Sequence, residues 1–138
     1  QACIPAMRDA GGGAIVMIAT MVEHKPLATQ GGYGASKSAL RAATKHLALE
    51  LGADNIRVNS CHMGWMWGPA VAGYFDWQSQ ASGRSTEELI AEVTRSIPLG
   101  HIPDDGDCAK AAVFLGSDYA CVVTGAALDV NGGEFMPL

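Results

Sequence analysis

The run AIVMIAT, Ala14 to Thr20, constrains this chain more than any other stretch. It carries no charge, it is rich in β-branched residues, and the glycines Gly11 to Gly13 lead into it. A half-exposed strand alternates apolar and polar residues, and this run does not. It reads as a strand buried on both faces, the pattern of a parallel sheet. Parallel neighbours cannot be joined by a hairpin, so helical crossovers must flank it.

The rest of the sequence supplies those crossovers. QACIPAMRDAGGG reads as the last turns of a helix with a glycine stop. Met21 to Gly32 is a loop containing Pro26. Tyr33 to about Leu51, rich in Ala and Leu, reads as a helix with Ala39, Leu40, Ala43, Leu47 and Leu51 as its buried stripe and Gly52 as its stop. IRVNSC, Ile56 to Cys61, is a second strand. Met63 to about Ser85 holds Trp65, Trp67, Tyr74, Phe75 and Trp77 without a clean period and is treated as a loop. STEELIAEVTRSI is a helix capped by Ser85 or Thr86, ended by Pro98. DDGDCAKAAVFLGSD is another, capped by Asp104 or Asp105. GAALDVNGG, Gly125 to Gly133, is a third strand and turn. The alternation predicts an α/β fold, a doubly wound parallel sheet with right-handed crossovers.

Composition excludes several functions. With 138 residues, 49% of them apolar and 17% charged, the chain is one domain or part of one. Its 14 acidic against 9 basic residues give a net charge of -5, which opposes a nucleic-acid partner. No apolar run reaches membrane-spanning length. Cys3, Cys61, Cys108 and Cys121 are scattered without metal-ligand spacing, so reduced and mostly buried thiols, no metal, and a soluble cytoplasmic setting are expected.

Tyr33 and Lys37 stand four residues apart, which places them on one helix face. A phenol is a poor proton donor and acceptor at neutral pH, and a nearby ammonium favours the phenolate. The pair therefore has the makings of a general acid/base. Alone it reads as a polar surface pair, and context must carry the catalytic reading. Thr20 lies 13 residues before Tyr33 at a predicted strand end, where open α/β sheets bind ligands. A hydroxyl, a phenol and an ammonium are thus expected at one mouth of the sheet.

These motifs resemble the short-chain dehydrogenase/reductase family, in its single-domain oxidoreductase branch. AIVMIAT followed by YGASK resembles that family's Ser-(13)-Tyr-xxx-Lys arrangement. LALELGADNIRVNSCHMG resembles its next helix, strand and Pro-Gly turn, and TGAALDVNGG its last strand and Gly-Gly turn. The resemblance implies a Rossmann-like fold and an oxidoreductase using NAD or NADP to interconvert a secondary alcohol and a ketone. It makes Tyr33 the acid/base, with Lys37 lowering its pKa and binding the nicotinamide ribose. Thr20 orients the substrate oxygen where the family usually has serine. Gly64 and Met66 lie on the cofactor side. The variable substrate loop falls at about residues 63–97, with Trp65, Trp67 and Tyr74 as substrate contacts.

Two departures stand out. The family's Pro-Gly turn is Met63-Gly64 here, and its threonine four residues after that glycine is replaced by Gly68. The resemblance covers only the carboxyl-terminal half of a family member. No glycine-rich turn between a strand and a helix is present to hold a pyrophosphate. Residues 1–138 are therefore expected to be the carboxyl-terminal part of one dinucleotide-binding domain, inactive and poorly stable by themselves. A homodimer or homotetramer through the Tyr33–Leu51 helix is implied when the rest is present. The competing reading is a truncated or degenerate homologue that binds or assembles without catalysis. His24 and His62 flank the site in sequence and read as polar loop positions.

Overall fold

The computed structural model describes residues 2–137. A short helix α1 (Ile4–Asp9) leads through Gly11 and Gly12 into strand β1 (Gly13–Thr20). A 3-10 turn (Met21–Glu23) follows, then the long helix α2 (Gly31–Leu51) and strand β2 (Ile56–Met63). Next come α3 (Pro69–Ser82), α4 (Thr86–Thr94), α5 (Asp105–Gly116) and strand β3 (Ala127–Val130). The three strands form one parallel sheet in the order β1-β2-β3, with Thr20 opposite Met63 and Met63 opposite Val130. The predicted α/β parallel architecture is therefore present.

Strand periodicity divides the core into two layers. Ile15, Met17, Ile56 and Val58 face α2 and meet its Ala48 and Leu51. Val16, Cys61, Met63 and Leu128 face α5 and meet Cys108 and Leu115. β2 is buried along nearly its whole length, as a central parallel strand must be. A third cluster, Phe75, Leu89, Ile97 and Ile102, joins α3 to α4.

Several local expectations are corrected. The buried positions of α2 are Thr44, Ala48 and Leu51; of the other residues of the expected stripe, Ala39 is exposed and Leu40, Ala43 and Leu47 are half-buried. Thr44 tolerates burial because its hydroxyl donates to the Leu40 carbonyl at 3.0 Å. The α-helix ends at Leu51 with Gly52 at its C-cap, as expected, but Gly52 is right-handed there. The chain runs on into a 3-10 turn and reverses at Asn55, left-handed at φ 57, whose side-chain amide donates to the Gly11 carbonyl. Asparagine accepts this conformation more readily than other residues with a side chain.

The aromatic segment is also more ordered than its composition suggested. Fourteen of its residues form α3, opened by Pro69 and closed by Gly83 at φ 71. Pro at the first helical position and a left-handed glycine after the last turn are standard helix boundaries. Ser85 caps α4 in a reciprocal capping box with Glu88, and Asp104 caps α5 through the Gly106 amide. All four cysteines are free. Cys61 and Cys108 are buried as expected, but Cys3 and Cys121 are exposed.

Candidate active site

Thr20 ends β1 and is 6% exposed. Its hydroxyl caps the following 3-10 turn by accepting from the Val22 amide at 3.3 Å. The same hydroxyl points across the sheet and donates to the Met63 carbonyl at 3.4 Å. That long bond is weak, so the hydroxyl is free to exchange it for a ligand oxygen.

Tyr33 and Lys37 occupy the first two turns of α2. The Lys37 ammonium donates to the Ile18 carbonyl at 2.8 Å and lies 5.8 Å from the centre of the Tyr33 ring. An ammonium has three donors, so two remain for another partner. Tyr33 is half exposed.

Thr20, Tyr33, Gly64 and Trp65 line one open cleft of about 210 Å3, with Leu27 and Met63 completing its apolar wall. The strand end, the helix start and the turn after β2 thus converge. The Gly64 amide donates to the Val130 carbonyl at 3.0 Å. A side chain at 64 would meet the Cβ of Asn131 at 2.6 Å and its Cα at 2.9 Å, so only glycine lets this turn close on β3.

The other residues singled out in the sequence are placed differently. Met66 turns toward the α5 layer and packs on the cluster of Cys61, Met63 and Cys108. Trp65 stacks on the buried Phe75 at 5.6 Å and reaches the cleft. Trp67 also stacks on Phe75, at 6.2 Å, but it faces a separate groove with Ile90 and His101. Tyr74 packs edge-on to Phe75 and is half exposed. Of the three aromatics expected to contact substrate, Trp65 alone lines the cleft. At Gly68 an added Cβ would run into Asp105 Oδ2, the far end of a side chain that can turn away.

His62 lies in the last turn-facing end of β2 rather than in a loop, and it is 1% exposed. Burial pushes its pKa down, against the pull of Glu23 and Asp129. Its Nε2 is 3.0 Å from the Ser60 hydroxyl, and its Nδ1 is 2.8 Å from Glu23 Oε1. The Glu23 side chain is fully buried. The same Oε1 lies 3.1 Å from His24 Nε2 and 3.3 Å from Arg41 Nε. Neither Glu23 oxygen receives an aligned hydrogen bond among the described residues, so these are close polar contacts rather than directional bonds, with Arg41 as the charged partner. Glu23, His24 and His62 bring three possible metal ligands within 4.8 Å of one another. Arg41 already supplies the cation there. Sequence reasoning missed Glu23 and Arg41. The available signal was spacing, since Tyr33, Lys37 and Arg41 recur every four residues on α2.

Comparison with known proteins gives consistent relatives. A family model described as enoyl-(acyl carrier protein) reductase matches residues 1–134. A 3α-hydroxysteroid dehydrogenase of Mediterraneibacter gnavus is 39% identical over 96% of this chain and 48% of its own length. Dehydrogenase/reductase SDR family member 4 of Oryctolagus cuniculus is 37% identical over 96% of this chain and 48% of its own. The L-sorbose reductase of Gluconobacter frateurii, solved with NADPH and L-sorbose, superimposes with a TM-score of 0.91 at 31% identity. That match covers 98% of this chain and 52% of the reductase. The chain spans about half the length of the curated relatives it matches.

Proposed function

Because the chain belongs to the short-chain dehydrogenase/reductase family, we propose that it carries the chemical end of an NAD(P)-dependent oxidoreductase site acting on a secondary alcohol or its ketone, a small molecule with a bulky or hydrophobic body. Residues 1–138 then form the carboxyl-terminal part of one dinucleotide-binding domain. The observation that carries this reading is the meeting of Thr20 and Tyr33 in one cleft, with Lys37 pinned beside them on the Ile18 carbonyl.

The donor set fits the nicotinamide-ribose end of such a cofactor. Lys37 retains two N–H donors beside the cleft, suited to ribose hydroxyls, and Gly64 presents backbone at the cleft rim. The pyrophosphate has no counterpart among the described residues, since Gly11 to Gly13 lead into a strand instead of joining a strand to a helix. A bound NAD or NADP would supply or accept the hydride.

The chain's own groups do the rest. The Thr20 hydroxyl leaves its weak bond to the Met63 carbonyl and holds the substrate oxygen. The Tyr33 phenol donates a proton to that oxygen as a ketone is reduced, and removes it as an alcohol is oxidised. The Lys37 ammonium stabilises the phenolate by charge. Trp65, Leu27 and Met63 give the cleft an apolar wall that favours an apolar substrate body. A homodimer or homotetramer through α2 is part of the same proposal.

The test is Tyr33→Phe in the complete natural protein. Turnover should fall by about 10²–10⁴-fold, while cofactor affinity stays within about twofold, because the ring remains and only the proton donor is removed. Unchanged turnover would overturn the reading.

A further inference from the structure

We propose that Glu23 is a positioning residue whose buried carboxylate holds together the three elements enclosing the cleft. The inference rests on the reading above for what is positioned, and on geometry for how.

Glu23 sits three residues after Thr20, in the 3-10 turn that the Thr20 hydroxyl caps. Its Oε1 reaches three elements. Through His62 Nδ1, at 2.8 Å, it grips the end of β2. His62 immediately precedes Met63, whose carbonyl takes the Thr20 hydroxyl, and Gly64 at the cleft rim. Through Arg41 Nε, at 3.3 Å, it grips α2 one turn beyond Lys37 and two beyond Tyr33. Through His24 Nε2, at 3.1 Å, it fixes the exit of its own turn. One oxygen therefore touches the elements that carry Thr20, Gly64, and the Tyr33–Lys37 pair.

The chemistry suits a clamp. A buried carboxylate without a countercharge is strongly disfavoured, and the half-exposed Arg41 provides that charge. Ser60 and Glu23 flank opposite nitrogens of His62. A neutral ring with its proton on Nδ1 turns that N–H toward Glu23 as a close polar contact without an aligned hydrogen bond, and leaves Nε2 to accept from the Ser60 hydroxyl. Asp129 is the remaining charged group near this ring, on β3. Nothing in the cluster lines the cleft, so its influence passes through the backbone of the three elements.

Glu23→Gln keeps the shape and removes the charge. In the complete natural protein, kcat should fall tenfold or more while substrate and cofactor KM change less than threefold. Arg41→Met should cause a similar loss, and the double variant should be no worse than the worse single one. Rates are compared well below each variant's melting temperature. If Glu23→Gln lowers only the melting temperature and leaves kcat intact, the clamp is structural and the proposal is overturned. Tyr33→Phe, measured alongside, separates the two ideas. If it abolishes turnover while Glu23→Gln does not, the clamp alone fails. If it retains turnover, the acid/base reading fails and the ring 15N shifts of His62 decide the clamp. A proton on Nδ1 that is disturbed by Glu23→Gln supports it; an unaffected ring overturns it.

Discussion

The ammonium of Lys37 donates to the carbonyl oxygen of Ile18 at 2.8 Å, tying the second turn of α2 to the end of β1. The bond adds a polar tie near Tyr33 to the apolar packing of Ala48 and Leu51 that seats the helix on the sheet. It also restrains a long, flexible side chain that would otherwise lose much rotamer freedom on binding a ligand.

Lys37→Met removes both the charge and the tether. Turnover should fall by about 10²-fold or more, and cofactor affinity should weaken as well, unlike the outcome for Tyr33→Phe. Lys37→Arg should rescue little, because the planar guanidinium presents its donors differently. Steady-state kinetics with cofactor titration separates these outcomes.

Two glycines in the same turn should respond differently to alanine. At Gly64 the new methyl meets the Cβ and backbone Cα of Asn131, which cannot yield without moving β3. Overpacking of that kind costs about 1–3 kcal/mol. At Gly68 the obstacle is the end of the Asp105 side chain, which can rotate away, and the backbone is extended at φ -166. Gly68→Ala should therefore cost under about 1 kcal/mol. Urea unfolding of both variants checks the contrast.

Phe75 is fully buried, stacks with Trp65 and Trp67 and meets Tyr74 edge-on. Phe75→Ala should destabilise by roughly 3–5 kcal/mol. It should also release Trp65, so tryptophan fluorescence ought to shift to the red even in conditions where the protein remains folded.

His62 gives a pH dependence with a defined sign. Its folded pKa lies below the ordinary 6.5, chiefly through burial, with Glu23 and Asp129 opposing and His24 and Arg41 reinforcing the fall. As pH drops through 6.5 the unfolded chain takes up the proton first. Stability is then full above that pH and is lost as pH falls toward the depressed folded value. The slope is at most about 1.4 kcal/mol per pH unit for one proton. Chemical denaturation between about pH 7.5 and pH 5 should reveal it, and His62→Gln should flatten that part of the curve.

Much of the fold was legible because β1 and α2 have strong local signatures. An uncharged β-branched run can hardly be anything but a buried strand, and a long Ala- and Leu-rich segment is a helix in most settings. Boundaries were less legible. Gly52 caps α2 as its position suggested, but the reversal falls on Asn55, whose side-chain amide finds a partner across the chain at Gly11. α3 escaped notice because its aromatics serve two sides: Phe75 packs inward while Trp77 is exposed, which blurs the helical period. Among the site candidates, Thr20 and Tyr33 share the cleft that their spacing suggested. Glu23 was invisible because a lone acid after a strand looks like a solvated turn. Its burial is created by Arg41 and His62, which are distant in sequence.

The unequal exposure of the four thiols makes the molecule its own clock. Cys61 is buried under α5 and Cys108 is within that helix, and burial pushes both pKa values up. Neither thiolate can meet an alkylating reagent until the α5 layer lifts. Cys3 and Cys121 are exposed and set the unhindered rate within the same sample. The ratio of slow to fast labelling then measures how often this layer opens, without any foreign probe.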